Sequence, residues 1–510
     1  MTMKFLKLLF SKTPILLLAL LLQLSVLVLV LVYYSEYFIW FEGVSILLGL
    51  LLFMHMLERD IAAEFKLPWI FILMALPLLG AVLYLFLANT GIKRHQNRAL
   101  EELEGVREEY LVASDEYRNA LLGTLGDYSG IERHLSTSVH SHGFLNNRIT
   151  YYGDGMAFFD ALCIELETAQ HFIFLEYFII SEGILYDRIH DILRRKVMAG
   201  VEVRVLYDDL GTLGKLPSNF HKKLCGEGIN CRKFNKVYPI LSGIYNYRDH
   251  RKIAVIDGRV GFTGGMNIGD EYAGLEFPFG KWKDSAVRIE GAAVGNMTHL
   301  FFQLWDAAGK REENFERYFL PIPTLDGTGG YVHVFGSGPR PFYREEVAEN
   351  ILLDLFGAAR RRIYITTPYL IIDRALTNAL RNAAARGVDV RIVTPHIPDK
   401  QVVFQLTRAS YHKLLDAGVR IYEYTPGFIH SKQILVDDEI ALVGTVNLDY
   451  RSLAHHFECA ALLCRTPSLG EIGADFEEVF AVSEEITRDF RLSLFGRLTA
   501  RLLSLFSPLF

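Results

Sequence analysis

HRKIAVIDGRVGFTGGMN, residues 250–267, and HSKQILVDDEIALVGTVN, residues 430–447, repeat the same polar residues at the same internal spacing within one 510-residue chain. In a strand, residues two apart face the same way, so His250 and Lys252 project together, as do His430 and Lys432. The apolar stretches that follow, IAVI and QILV, fill a sheet and end at Asp257 and Asp437. Asp-Gly at 257–258 is a strong hairpin signal and Asp-Asp-Glu at 437–439 a weaker one. A return strand then carries Gly264, Gly265 and Asn267, or Gly444, Thr445 and Asn447, back beside the start of the first. Each copy thus gathers an imidazole, an ammonium and an amide around one point, a set that suits a phosphate. Lysine and asparagine stabilise its anionic oxygens, and a histidine can attack phosphorus or carry a proton near neutral pH. One phosphorus needs two histidines, one to attack and one to protonate the leaving oxygen, and two facing copies supply them. Each imidazole also needs a carboxylate on its other nitrogen. Glu458 in HHFECAALL is the candidate partner for His430 and Asp284 in KWKDSAVRI the candidate for His250, while His455 and His456 read as rim residues.

Outward from these passages the repetition continues. HFIFLEYFII (171–180) is matched by RIYITTPYLI (362–371), AGVEVRVLYDD (199–209) by RGVDVRIVTPH (386–396), and GEGINCRKFN (226–235) by DAGVRIYEYT (416–425). Strands alternating with helical patterns predict α/β layering, and the duplication predicts two similar lobes.

The start of the chain differs. Three apolar runs, 14–34, 38–57 and 67–88, are each long enough to cross a bilayer core of roughly 30 Å, so an N-terminal transmembrane helical segment and a multi-pass cell-membrane protein are expected. Five cysteines without a C-x-x-C spacing suggest neither a disulfide framework nor a zinc site and favour the cytoplasmic side for the lobes. A net charge of −6 argues against a nucleic-acid partner. The expected division is 1–90 transmembrane, 91–145 helical connector, 146–325 first lobe, 326–490 second lobe and 491–510 amphipathic C-terminal segment. That last segment reads equally as an interfacial helix or a closing core helix.

At the paired H-x-K-x4-D-x6-G-[GT]-x-N motifs the sequence resembles the phospholipase D superfamily, and within it the bacterial cardiolipin synthases. GFTGGMNIGDEY, TTPYLIID, GFIHSK and GTVNLDYRS carry the second, narrower resemblance. The resemblance implies two phospholipase D-like lobes in a pseudo-twofold sandwich and a site between them that uses no metal and no cofactor. It assigns catalysis to His250, Lys252, Asp257, His430, Lys432 and Asp437, phosphate binding to Asn267, Asn447 and Thr445, and orientation of the histidines to Asp284 and Glu458. It further implies that His250 attacks phosphatidylglycerol, that His430 protonates departing glycerol, and that a second phosphatidylglycerol accepts the phosphatidyl group at a lipid membrane. Hydrolysis to phosphatidic acid is the alternative that the same motifs would serve. SLAHHFE at 452–458 departs from the asparagine-bearing stretch of that family, and Gly265 stands where the broader superfamily has serine.

Overall fold

The computed structural model describes residues 38–59, 61–75, 77–87, 115–238, 243–310, 314–319, 330–490, 492 and 494–507, together with five isolated helical positions between 21 and 32. Two sheets organise the chain. The first has seven strands in the order Arg148–Tyr152, Ala286–Glu290, Val260–Gly264, Lys252–Ile256, Phe172–Tyr177, Glu202–Asp208 and Asn230–Phe234. The second has nine, and its central seven repeat that order: Tyr331–Ser337, Glu458–Cys464, Ile440–Gly444, Gln433–Val436, Arg362–Thr366, Asp389–Pro395 and Arg420–Tyr424. Phe144–Leu145 and Ser483–Ile486 extend its two edges.

In each sheet the three strands joined by helical crossovers run parallel and the rest antiparallel, with the motif strand at the boundary between the two halves. Crossover helices need buried strands on both sides, which explains the unbroken apolar runs. Phe172–Tyr177 is buried at all six positions, Glu176 included. One apolar core passes through both lobes, joining Phe174, Ile253 and Val287 to Ile363, Leu435 and Leu463. Thr263 Oγ1 and Cys459 Sγ, 3.2 Å apart, and the Tyr151 hydroxyl, donating to Gln433 Oε1 at 2.8 Å, tie the sheets together.

The expected transmembrane segment and multi-pass cell-membrane placement are corrected: among the described residues no helix is long and apolar enough to cross a membrane. Within the 67–88 run the described helices are Ala63–Ala75 and Pro77–Leu87, of 13 and 11 residues, and Leu76 and Ala88 lie outside the described residues. Met56, Trp69, Leu73, Ala81 and Tyr84 form a small buried cluster between these helices and the helix Phe38–Glu58, while Leu50, Leu51, Leu67, Phe71, Met74 and Leu85 are exposed. The 14–34 run lies almost wholly outside the described residues, as does 91–114 of the expected connector. At the other end the helix Leu494–Leu505 lies against Gln401–Leu415 and Ala63–Ala75, with Ala500 buried and the Phe506 ring 6.0 Å from that of Phe71.

Candidate active site

Two short strand bridges between the lobes build the site. Asp249 pairs with Phe457: the His250 N–H donates to Phe457 O at 2.9 Å and the Phe457 N–H to Arg248 O at 2.8 Å. Lys283 pairs with Ile429 in the same sense: the His430 N–H donates to Lys283 O at 2.7 Å and the Lys283 N–H to Phe428 O at 3.0 Å. Each bridge therefore carries a carboxylate of one lobe onto the imidazole of the other. His250 Nδ1 lies 2.9 and 3.0 Å from the two oxygens of Glu458, and His430 Nδ1 lies 2.7 Å from Asp284 Oδ2. The expected partners are thus exchanged. Sequence proximity favoured Glu458 for His430, but the bridging strands, not the nearest carboxylate along the chain, decide who meets whom.

The geometry also sets the tautomers. An ionised carboxylate only accepts, so each Nδ1 carries the proton and each Nε2 keeps its lone pair for a ligand. Both rings are nearly buried, His250 at 7% and His430 at 8% exposure. Glu458 is further held by the Ser452 hydroxyl at 2.6 Å and by the Thr445 hydroxyl, and Ser452 in turn accepts the Asn447 N–H at 2.8 Å. Asp284 accepts the Ser285 N–H at 2.9 Å and the Trp282 indole N–H at 3.4 Å. Gly265 makes room for it, since a Cβ there would lie 2.0 Å from Asp284 Oδ1. At the equivalent position Thr445 uses its hydroxyl to steady the longer Glu458 side chain.

Lys252 donates to His250 O at 2.6 Å, and Lys432 likewise to His430 O. The four cationic or titratable groups act on one another. Burial drives His250 well below its usual pKa, and Lys252, Lys432 and His430 add to the effect. Burial, then Lys432, lowers His430 to about 4 against the pull of Asp284. Burial also lowers Lys252 to about 8 and Lys432 to about 7. For Asp284 burial pushes upward, but His430 and Lys432 outweigh it and hold the carboxyl below its ordinary value. Two buried lysines held below their usual pKa beside two neutral imidazoles make an environment that an anionic ligand would relieve.

A stability prediction follows from the sign of these shifts. A histidine that is harder to protonate folded than unfolded contributes stability that is fully present above its unfolded pKa of about 6.5 and is lost as pH falls through the folded value, about 4 for His430. The melting temperature of the chain should therefore fall as pH drops from 6.5 to 4, and His430→Gln should flatten that fall. Thermal unfolding followed across this range checks it.

The remaining expected site residues divide. Asp257 and Asp437 do not join the histidines. They sit at the far end of the motif strands, five positions beyond the lysines, roughly 16 Å at about 3.3 Å per residue. Asp257, at φ +51° before Gly258 at +63°, turns the hairpin, and its carboxylate accepts the N–H groups of Gln170, His171 and Phe172 at 2.8 Å each. Asp437, at φ +54°, accepts those of Arg360, Arg361 and Arg362 at 2.8, 2.7 and 2.9 Å. Both anchor the start of the neighbouring strand. Asp257→Ala should lower stability by about 2–3 kcal/mol while the folded fraction keeps its turnover within about threefold. Denaturant unfolding alongside activity normalised to folded protein separates the two.

The Asn267 amide accepts the Ile179 N–H at 3.0 Å and donates one of its two N–H bonds to the Tyr272 hydroxyl at 2.8 Å. Asn447 Oδ1 is buried without a partner among the described residues. Sequence reading missed Ser452, although it sits within the YRS of GTVNLDYRS. Among the described residues His250, His456 and Glu458 bring ligand-type atoms within 4.8 Å of one another, but Glu458 is already engaged by His250, Thr445 and Ser452.

Residues 162–305 and 352–480 match the family described as cardiolipin synthase, PLD-like domain. Cardiolipin synthase from Alkalihalophilus pseudofirmus is 35% identical over 420 residues, covering 80% of this chain and 81% of the relative. Cardiolipin synthase 1 from Staphylococcus aureus is 34% identical over 435 residues, covering 82% and 86%. An uncharacterized protein from Streptococcus mutans is 40% identical over 428 residues, covering 82% and 90%. Among solved structures, the phosphatidylserine synthase of Haemophilus influenzae superposes with a TM-score of 0.57 at 15% identity, covering 75% of this chain and 98% of that one, a likeness of fold. The chain belongs to the PLD-like domain family of the cardiolipin synthases.

Proposed function

We propose that this member of the cardiolipin synthase family joins two phosphatidylglycerol molecules into cardiolipin and releases glycerol, by way of a phosphatidyl-histidine intermediate. The observation that carries this reading is the exchange of carboxylates between lobes. It leaves two imidazoles with Nδ1 occupied, Nε2 free, and two lysines beside them. In the first step His250 Nε2 attacks phosphorus and the phosphorus–oxygen bond to glycerol breaks, with His430 delivering a proton to the departing oxygen. In the second, His430 removes the proton from a hydroxyl of another phosphatidylglycerol. That oxygen attacks phosphorus, and the phosphorus–nitrogen bond to His250 breaks.

The low pKa of His430 fits this sequence. Adding a phosphodiester anion supplies the countercharge that raises His430 back toward the range in which it can carry a proton, so substrate binding arms the acid. In this reading Lys252 and Lys432 steady the charge that grows on the phosphoryl oxygens. Purified protein given phosphatidylglycerol in detergent micelles tests the reading. Cardiolipin and glycerol in equal amounts are expected. Phosphatidic acid as the sole lipid product would replace the transferase with a hydrolase.

A further inference from the structure

SLAHHFE brings a third imidazole to the site. The two adjacent histidines are used differently: the ring of His455 packs edge-on against Phe65 at 5.1 Å, whereas His456 turns toward the catalytic pair. The ring of His456 lies 5.3 Å from that of His250, tilted by 40°, and its Nδ1 is 3.8 Å from Glu458 Oε1, beyond hydrogen-bond reach. Its backbone is fixed on either side. The His456 N–H donates to Arg451 O at 2.8 Å, and the next residue, Phe457, forms the bridge to Asp249.

Both ring nitrogens of His456 are closed off from solvent and neither has a hydrogen-bond partner among the described residues. Two unpaired polar atoms are unfavourable in such a place, and a residue kept only for packing would be better served by leucine or phenylalanine. Unpaired ring atoms beside the catalytic His250 point to a substrate group as their partner. Burial pushes the ring down to about 3, so it is neutral, with one N–H to donate and one lone pair to accept. That combination complements a hydroxyl, which likewise gives and takes. An ammonium only donates and a phosphoryl oxygen only accepts, so either would leave half of the ring's capacity unused.

We propose that His456 contacts a headgroup hydroxyl of phosphatidylglycerol beside His250, of the donor in the first half-reaction and of the acceptor in the second, and thereby favours an alcohol over water in the second half-reaction. This rests on the reading given under Proposed function. His456 is a binding residue for the headgroup, and it acts on specificity through that hydrogen bond instead of through Glu458.

The test compares His456→Leu with His456→Gln, whose amide retains a donor and an acceptor, in micelles of phosphatidylglycerol. His456→Leu should raise the KM for phosphatidylglycerol about tenfold and lower the ratio of cardiolipin to phosphatidic acid about tenfold, and His456→Gln should return both to within about threefold of wild type. An unchanged KM and product ratio in His456→Leu would overturn the proposal. So would a loss confined to kcat, which would place the residue's action on Glu458. If His456→Leu does not fold, His456→Asn and His456→Gln carry the same comparison, since unequal reach toward a hydroxyl should separate their product ratios, and equal ratios would overturn the proposal. Should wild type form only phosphatidic acid, the transferase reading fails by itself. The KM comparison then still decides: a rise sustains the headgroup contact and no rise removes it.

Discussion

His250→Ala and His430→Ala are each expected to lower turnover by ~10⁴-fold or more, with thermal unfolding within a few degrees of wild type. Both rings project from the start of a motif strand whose apolar body, IAVI or QILV, holds the sheet independently of them. Removing a ring deletes a reacting group and leaves the core intact. The two variants should nevertheless differ. A phosphatidyl ester with a p-nitrophenyl leaving group needs no proton on departure, so it should restore roughly 10–100-fold of the first half-reaction to His430→Ala and nothing to His250→Ala. Equal rescue of both would contradict the division of labour between them.

The exchanged carboxylates give the second large effect. Glu458→Gln should act on His250 and Asp284→Asn on His430, each lowering turnover about 10³–10⁴-fold. An amide can turn its NH₂ toward Nδ1, which forces the proton to Nε2, the nitrogen that must carry the lone pair. With Glu458→Gln the covalent intermediate should not form even from the p-nitrophenyl ester. With Asp284→Asn that ester should react almost normally in the first step, because the impaired ring is the proton carrier. Stopped-flow release of p-nitrophenol measures both. Within-lobe pairing, the arrangement that sequence proximity favoured, predicts the reverse assignment.

The contrast shows what a single sequence encodes locally and what it does not. The H-x-K pairs and the strand order around them were legible because a period of two and buried apolar runs are local, and their duplication supplied an internal control. The seven strands of the first sheet recur in the same order within the nine of the second. The carboxylate pairing was not legible, since it depends on bridges between residues 249 and 457 and between 283 and 429, more than a hundred positions apart. Asp257 was misread for the opposite reason. It is close to His250 along the chain, but an extended strand turns seven residues into a long separation, and its carboxylate serves backbone N–H groups at the hairpin end. The apolar runs at the start read as membrane spans because hydropathy registers side-chain chemistry alone, whereas among the described residues no helix is long and apolar enough to cross a membrane. His456 was set aside as rim because nothing in HHFE separates its two rings. Only their opposite orientations in the fold do.

The central claim is that imidazoles from separate lobes act on one phosphorus, with His250 bonded to it in mid-reaction. Phosphatidylglycerol labelled at phosphorus, mixed with enzyme, quenched in alkali within the first turnover and digested, locates that bond. The account predicts label on the peptide containing His250, its absence in His250→Ala, and its chase into cardiolipin by unlabelled phosphatidylglycerol. Label on the peptide containing His430 that persists in His250→Ala, or product formed while no peptide is labelled, would contradict it.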